Sequence, residues 1–248
     1  MKTFIVLSRK GGTAKTSTAH ALGSWLMKQG KRVLFIDMDG QANLTLVMGA
    51  DEDAPNAYDL LCQGAQIGDT IQHTEHGDII AGNELLHVSE KYLEGAEDTR
   101  ILSKALESVK KQYDYCVIDT PAALGMVTLN CIVAANKIIV PVQAELFSAQ
   151  GIGRIASTLE TVKEQCGVSR KIDGLLITRL DMRTNISKSM SNDLVEIAKA
   201  NNTKVYKAVI RECSAIKEAA LMQQSIFDYA PRSRGASDYR DFITEFLG

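Results

Sequence analysis

The sequence predicts an α/β fold: a single domain over residues 1–248, built on a mostly parallel twisted β-sheet flanked by helices on both faces. Short apolar runs rich in β-branched residues alternate with longer helical patterns, the rhythm of repeated strand–helix–strand units. Several of these short runs are nearly continuous in apolar residues, as strands covered on both faces are. A glycine-containing loop sits between the first apolar run and the first helical pattern.

In chain order the predicted strands are Phe4–Ser8, Val33–Asp37, Asp78–Ala81, Tyr115–Asp119, Lys137–Val142, Gly174–Thr178 and Val205–Ile210. The predicted helices are Lys15–Gln29, Thr99–Gln112, Leu124–Ala135, Ser148–Cys166, Ser187–Asn201 and Ser237–Phe246. Gly30 stops the first helix, because glycine accepts the left-handed turn that ends many helices. The acidic stretch from Asp51 to Asp98 is the least regular and reads as crossover structure on the domain's edge. The apolar residues of the last helix read as a docking face.

The chain has 248 residues, 45% hydrophobic and 23% charged, the balance of a globular protein with a substantial core. With no long apolar run and no signal peptide, it is expected in the cytoplasm. Its five cysteines are scattered without a C-x-x-C pair and read as reduced thiols. His73 and His76 read as surface loop residues, since no third metal ligand is in view. Net charge is −2, but residues 168–248 hold 13 Lys and Arg against 10 Asp and Glu, whereas residues 1–167 hold 15 against 20. A small basic excess in the last third is ordinary for a solvated face and is weak evidence for a polyanionic partner.

The chemistry concentrates in three places. The first is Lys10-Gly11-Gly12-Thr13-Ala14-Lys15-Thr16-Ser17, which follows a buried strand and opens a helix. Glycines there let backbone N–H groups turn toward an anion, and the helix start adds unpaired donors and partial positive charge. Lys15 can reach the β- and γ-phosphates of a nucleotide, and the Thr16 hydroxyl can coordinate Mg²⁺. A bare Gly-Gly turn is often only structural; Gly, Lys and Thr in register make a phosphate loop the better reading. The second is Asp37-Met38-Asp39-Gly40-Gln41-Ala42-Asn43, at the carboxyl end of a parallel strand, where such sheets place ligands. The third is the apolar run Tyr115–Ile118 ending in Asp119, whose carboxylate can hold Mg²⁺.

Together Lys10-Gly11-Gly12-x-x-Lys15-Thr16 resembles the deviant phosphate loop of the ParA/MinD family. The Asp37–Thr45 stretch is similar to the D-x-D-P-Q-x-N-x-T box of its ParA branch, with Gly40 in place of proline. Pro141–Ser148, Thr178–Asn185 and Tyr229–Ala236 resemble three further segments of that branch. The segment does not match the common G-x-x-x-x-G-K-[ST] loop, because Ala14 stands where that loop has its second glycine and Lys10 precedes the glycines.

The resemblance implies a slow, Mg²⁺-dependent ATPase. In it Lys10 reaches across a dimer to the partner's ATP, Asp39 orients the attacking water, Asp37 supports a switch region, and Thr16, Asp39 and Asp119 attend the metal. Adenine would lie near Thr178 and Arg179. The implied partners are a second copy of the chain, non-specific DNA and a ParB-like adaptor, with the ATP-bound form on the nucleoid. Arg183 matches a DNA-contacting arginine; Ala215 stands where relatives carry another, leaving Arg211 and Lys217 as nearby substitutes. A membrane-binding relative is disfavoured, because Ser237–Gly248 carries three acids and one base. Positioning of a protein cargo, or a metabolic enzyme such as an iron–sulfur reductase or an ATP-dependent ligase, are the alternative readings.

Overall fold

A computed structural model describes the chain except residues 146–147 and 181–184 and the side chains of 185–192. Eight strands form one sheet: β1 (Lys2–Val6), β2 (Val33–Asp37), β3 (Ile71–Thr74), β4 (Gly77–Ile80), β5 (Tyr115–Asp119), β6 (Lys137–Val142), β7 (Ile172–Leu180) and β8 (Ile210–Arg211). Their order is β3-β4-β2-β5-β1-β6-β7-β8, parallel throughout except for β3 against β4. Around the sheet lie α1 (Lys15–Lys28), α2 (Asn43–Val47), α3 (Ala57–Cys62), α4 (Ile67–Thr70), α5 (Ile101–Val109), α6 (Met126–Ala134), α7 (Ser148–Cys166), α8 (Asn185–Ala200), α9 (Ser214–Leu221), α10 (Ile226–Tyr229) and α11 (Arg234–Leu247). Two 3₁₀ segments, Glu84–Lys91 and Ala96–Arg100, complete the crossover.

Alternate residues of each strand enter opposite apolar layers. Ile5, Leu34, Ile36, Cys116, Ile118 and Ile138 face a layer that includes α5, α6 and α7. Phe4, Val6, Val33, Phe35, Val117 and Ile139 face one closed by α1 and α11. The expected docking face of the last helix is real: Tyr239, Phe242 and Phe246 are buried, and Phe246 meets Phe4 edge-on at 5.0 Å between ring centroids.

Two differences from expectation have local causes. Strand β3 escapes a hydrophobic pattern because it is a short, partly exposed edge strand, in which His73 lies opposite Asp78 and their side chains meet at 2.7 Å. That hairpin accounts for His73, and among the described residues no group of three or more acidic, histidine or cysteine side chains could hold a metal. The strand expected over Val205–Ile210 contracts to a single bridge at Val205 and the two residues of β8. Between them the Lys207 and Ala208 N–H groups donate to the Glu245 carboxylate of α11 at 3.0 Å each, so the backbone leaves the sheet to bond a helix. No helix among the described residues is long and apolar enough to cross a membrane.

His20 of α1 is buried with its ring 6.3 Å from that of Phe35. Burial first, then the neighbouring His76, lowers its pKa to about 4, with Asp228 opposing. The unfolded chain therefore binds a proton that the folded chain refuses between pH 6.5 and about 4. Stability from this group is complete above pH 6.5 and falls by up to about 3 kcal/mol as pH drops to 4. Chemical denaturation of wild type and His20→Gln across pH 4–7.5 checks this: the difference between the two curves should carry that slope, and parallel curves would contradict it.

Candidate nucleotide site

The phosphate loop is the connection between the end of β1 and the start of α1. Its backbone is pinned by Thr13, whose hydroxyl donates to the Lys10 carbonyl at 3.2 Å. Gly12 and Ala14 have φ of +75° and +64°. Alternation into the left-handed region turns successive N–H groups to one side, the geometry of an anion nest. Ala14 is also the N-cap of α1 and offers no side-chain acceptor, so the donors of the first turn face the loop's concavity. The Lys15 side chain enters from the same turn and the residue is buried.

Strand order supplies the acids. Asp37 ends β2 and Asp119 ends β5, and the two are register partners across neighbouring parallel strands. Both are buried. Thr16 donates to Asp119 Oδ2 at 2.5 Å, while Asp119 Oδ1 is buried without a partner among the described residues. Burial first, then the Asp37 charge, raises the Asp119 pKa, against the Thr16 hydrogen bond and Lys15. Asp37 is raised by burial too, but its oxygens are already bonded: Oδ2 accepts from the Thr45 N–H and hydroxyl at 2.8 Å each, and Oδ1 accepts from the Asp39 N–H at 3.1 Å.

An orphaned carboxylate oxygen beside a threonine hydroxyl is the donor set that Mg²⁺ uses when phosphates and water supply its remaining ligands. Thr16 and Asp119 fit that role. Asp37 does not, because its lone pairs hold the following loop. Asp39 is partly exposed on the cavity wall, with Oδ1 accepting from the Gln41 N–H at 3.1 Å.

Above these groups opens a cavity of about 820 Å³ whose walls include Gly11, Ser17, Asp39, Pro121, Arg179 and Lys217. That volume suits a nucleotide. The two residues expected near the base separate here. Arg179 lines the cavity, its guanidinium donating to the Gly12 carbonyl at 3.2 Å and to Glu212 at 3.0 Å. Thr178 lies behind the wall, fully buried, with its hydroxyl directed at the carbonyls of Thr13 and Val142. Thr178 therefore ties the phosphate loop to β6 and offers no group to a base.

Arg211 and Lys217 also fall on this cavity and not on a separate basic face. The Arg211 guanidinium is bonded to Asp238 at 2.6 Å, and Lys217 reaches Glu212 at 3.0 Å. Both are paired within the chain, Lys217 in an exposed pair that solvent screens. Arg183 lies outside the described residues.

Lys10 has a different environment from Lys15. Its side chain is half exposed and is paired with Glu145, with Gln143 Oε1 at 3.3 Å. Gln143 in turn donates to the Gly12 carbonyl at 3.0 Å. Gln143 and Glu145 lie in the segment Pro141–Ser148, yet their contacts with the phosphate loop have no signature in the sequence. Sequence reasoning missed His87 entirely, because that residue belongs to the irregular crossover; its ring lines the cavity.

Loop, buried acids and cavity define a P-loop site for a nucleoside triphosphate. Comparison with known proteins agrees with this class. The AAA domain family model matches residues 1–173. The sporulation initiation inhibitor protein Soj of Bacillus subtilis (strain 168) is 36% identical over 98% of this chain and 97% of its own length. Cobyrinic acid a,c-diamide synthase of Mycobacterium smegmatis, solved with ADP and magnesium, superposes with a TM-score of 0.81 at 28% identity, covering 100% of this chain and 94% of that one. The apo McdA structure from Cyanothece shares the fold over 100% of both chains, with a TM-score of 0.88 at 24% identity. The chain belongs to the ParA/MinD family of P-loop ATPases, in its Soj-like partition branch.

Ala14 is an alanine where the backbone favours glycine. A left-handed non-glycine residue costs about 1–2 kcal/mol, offset in part by the extra unfolded-state entropy that glycine would bring. Ala14→Gly should therefore raise stability by about 0.5–1 kcal/mol. The urea midpoint without nucleotide measures it; an unchanged or lower midpoint would refute the strain.

Proposed function

We propose that this ATPase is a positioning switch that dimerises on ATP, binds DNA non-specifically as a dimer, and is released when a ParB-like adaptor stimulates hydrolysis. The observation that carries the reading is the contrast between two lysines of one loop. Lys15 is buried in its own cradle, whereas Lys10 is half exposed and turned toward Gln143 and Glu145. A cation that its own loop leaves outside is suited to phosphates held by a second copy of the chain. Dimerisation then exchanges the Lys10–Glu145 pair, exposed and weak, for a pair with a triphosphate.

In this reading the N–H groups of the loop and Lys15 bind the triphosphate, and Thr16 and Asp119 hold Mg²⁺. Bound there, the metal neutralises charge that develops on the transferred phosphoryl oxygens. Asp39 orients the attacking water, and the Asp37–Thr45 bonds keep the loop beneath Asp39 in place. The similarity to a structure bearing ADP and magnesium supports these ligands.

Movement of DNA cargo is the consequence favoured by 30% identity, over the whole of this chain, to the chromosome partitioning protein ParA of Caulobacter vibrioides. The DNA-binding part rests on the basic excess of the last third and on Arg183 from the family pattern, since Arg211 and Lys217 are internally paired. In the cell this places the protein in the cytoplasm, on the nucleoid while ATP is bound. Cys116 and Cys131 are both fully buried, which disfavours the iron–sulfur reductase reading.

Sedimentation with ATP, ADP or a non-hydrolysable ATP analogue, with and without non-specific DNA, tests the cycle. Wild type should dimerise only with the triphosphate. Asp39→Ala should persist as an ATP dimer on DNA, and Lys10→Ala should remain monomeric with ATP. A wild-type monomer under every condition would sink the dimer switch.

A further inference from the structure

The 3₁₀ segment Glu84–Lys91 crosses beside both loops that flank the phosphate site, and it touches each where that loop lacks a side chain. At Gly40, a Cβ atom would lie 2.7–2.8 Å from Nε2, Cδ2 and Cε1 of His87, so the imidazole lies against the bare backbone. At Gly125, the N-cap of α6 in the loop after Asp119, a Cβ would lie 2.0 Å from the Glu90 carboxylate. Such separations are below any real carbon contact, so each glycine makes room for one side chain of the segment.

The segment itself is fixed. Leu86 and Ser89 are buried, the Ser89 hydroxyl donates to the Leu86 carbonyl at 2.7 Å, and Asn83 caps the first turn by accepting from the Leu85 N–H at 3.1 Å. His87 projects from this anchored turn toward residues 39–42. There the Gln41 side-chain amide meets His87 Nε2 at 3.2 Å.

The turn that receives the ring is held from within by its own backbone bonds. Inside, Asp39 Oδ1 accepts from the Gln41 N–H at 3.1 Å and the Asp39 carbonyl accepts from the Ala42 N–H at 2.9 Å. Ala42 has φ of +50°, which a non-glycine residue holds only when its surroundings impose it. Gly40, with the widest backbone freedom of any residue, sits between Asp39 and Gln41. The ring of His87 buries Gly40 and removes that freedom.

We propose that His87 is a positioning residue for ATP hydrolysis: seated in the space left by Gly40 and bonded to Gln41, it holds the turn that aims Asp39. The inference rests on the reading of Asp39 as the group that orients the water. His87 itself transfers no proton and touches no phosphate. Its effect is to keep the Asp39 carboxylate at one place in the cavity, and a misplacement of about 1 Å at such a group costs about 100-fold in rate.

The test combines steady-state ATPase kinetics in excess Mg²⁺ with amide hydrogen exchange of nucleotide-free protein, on wild type, His87→Ala, Gly40→Ala and the double variant. His87→Ala should lower kcat about 10- to 100-fold with KM for ATP within about twofold. In the nucleotide-free protein it should speed exchange of the Gln41 and Ala42 amides about tenfold, with amides of β1 and β5 unchanged. Gly40→Ala expels the ring and should match His87→Ala; the double variant should be no worse than either single change, because both remove one contact. Unchanged kcat in His87→Ala overturns the proposal, as do additive losses in the double variant or exchange of Gln41 and Ala42 at the wild-type rate. Wild type that turns over no ATP would count against the ATPase cycle instead, and the exchange measurement would still decide for or against His87.

Discussion

The architecture turns on two carboxylates buried side by side. Parallel pairing of β2 with β5 sets Asp37 opposite Asp119 at the carboxyl ends of the strands, with Val6 of β1 as the next neighbour of Asp119. Burying two acids in adjacent positions is costly unless each finds donors or a cation. Asp37 is satisfied from its own loop by Thr45 and the Asp39 N–H, and Thr45 also accepts from the Gly82 N–H at 2.8 Å, tying the ends of β2 and β4 together. Asp119 is satisfied at only one oxygen, by Thr16. That imbalance separates their roles: one acid builds the loop, and the other keeps an oxygen whose lone pairs are unshared among the described residues. A divalent ion there lowers the electrostatic cost of both.

From that pair the surrounding features follow as ways of holding backbone in place. Thr178, Gln143 and Arg179 each donate to carbonyls of the phosphate loop, at Thr13 or Gly12. Such bonds orient the loop's carbonyls outward and leave its N–H groups facing inward. Lys10 is the exception, since its ammonium stabilises nothing in its own cradle. Both members of its pair with Glu145 are about half exposed, so solvent screens the attraction and the pair is weak. A weak internal pair suits a cation that must change partners.

How much of this was legible in the sequence depended on whether a residue acts through its neighbours in the chain or across space. Lys15, Thr16 and Asp119 could be read because a strand, a turn and a helix in succession determine their placement, and hydrophobic periodicity marks all three. The parallel core strands β2, β5 and β6 matched their predicted bounds for the same reason. The bonds of the Thr178 hydroxyl could not be read, because its motif places it at a strand end whereas one carbonyl it serves belongs to the phosphate loop 165 positions away. The pairing of Arg211 with Asp238 and of Lys217 with Glu212 could not be read, because a charge count does not show partners across space. Apart from the strand near Asp78–Ala81, the crossover between Asp51 and Asp98 was illegible because its elements are four to eight residues long, too short for a period to emerge.

Ala14, where the common phosphate loop has glycine, and Gly40, where the ParA box has proline, shift backbone freedom in opposite directions. At residue 14 the chain holds a left-handed conformation without glycine, so the phosphate loop is strained but has fewer states available when unfolded. At residue 40 it has a glycine where rigidity would help, and a ring from a distant segment supplies the restraint. The first arrangement is internal to the loop and needs only the hydrogen bonds already counted. The second makes the Asp39 turn dependent on Glu84–Lys91, a segment that also meets the loop after Asp119 through Glu90. Two loops that must respond to the same phosphate thus share one rigid neighbour. Displacement of either is resisted at the other, which gives the site a physical route for the two sides to move together.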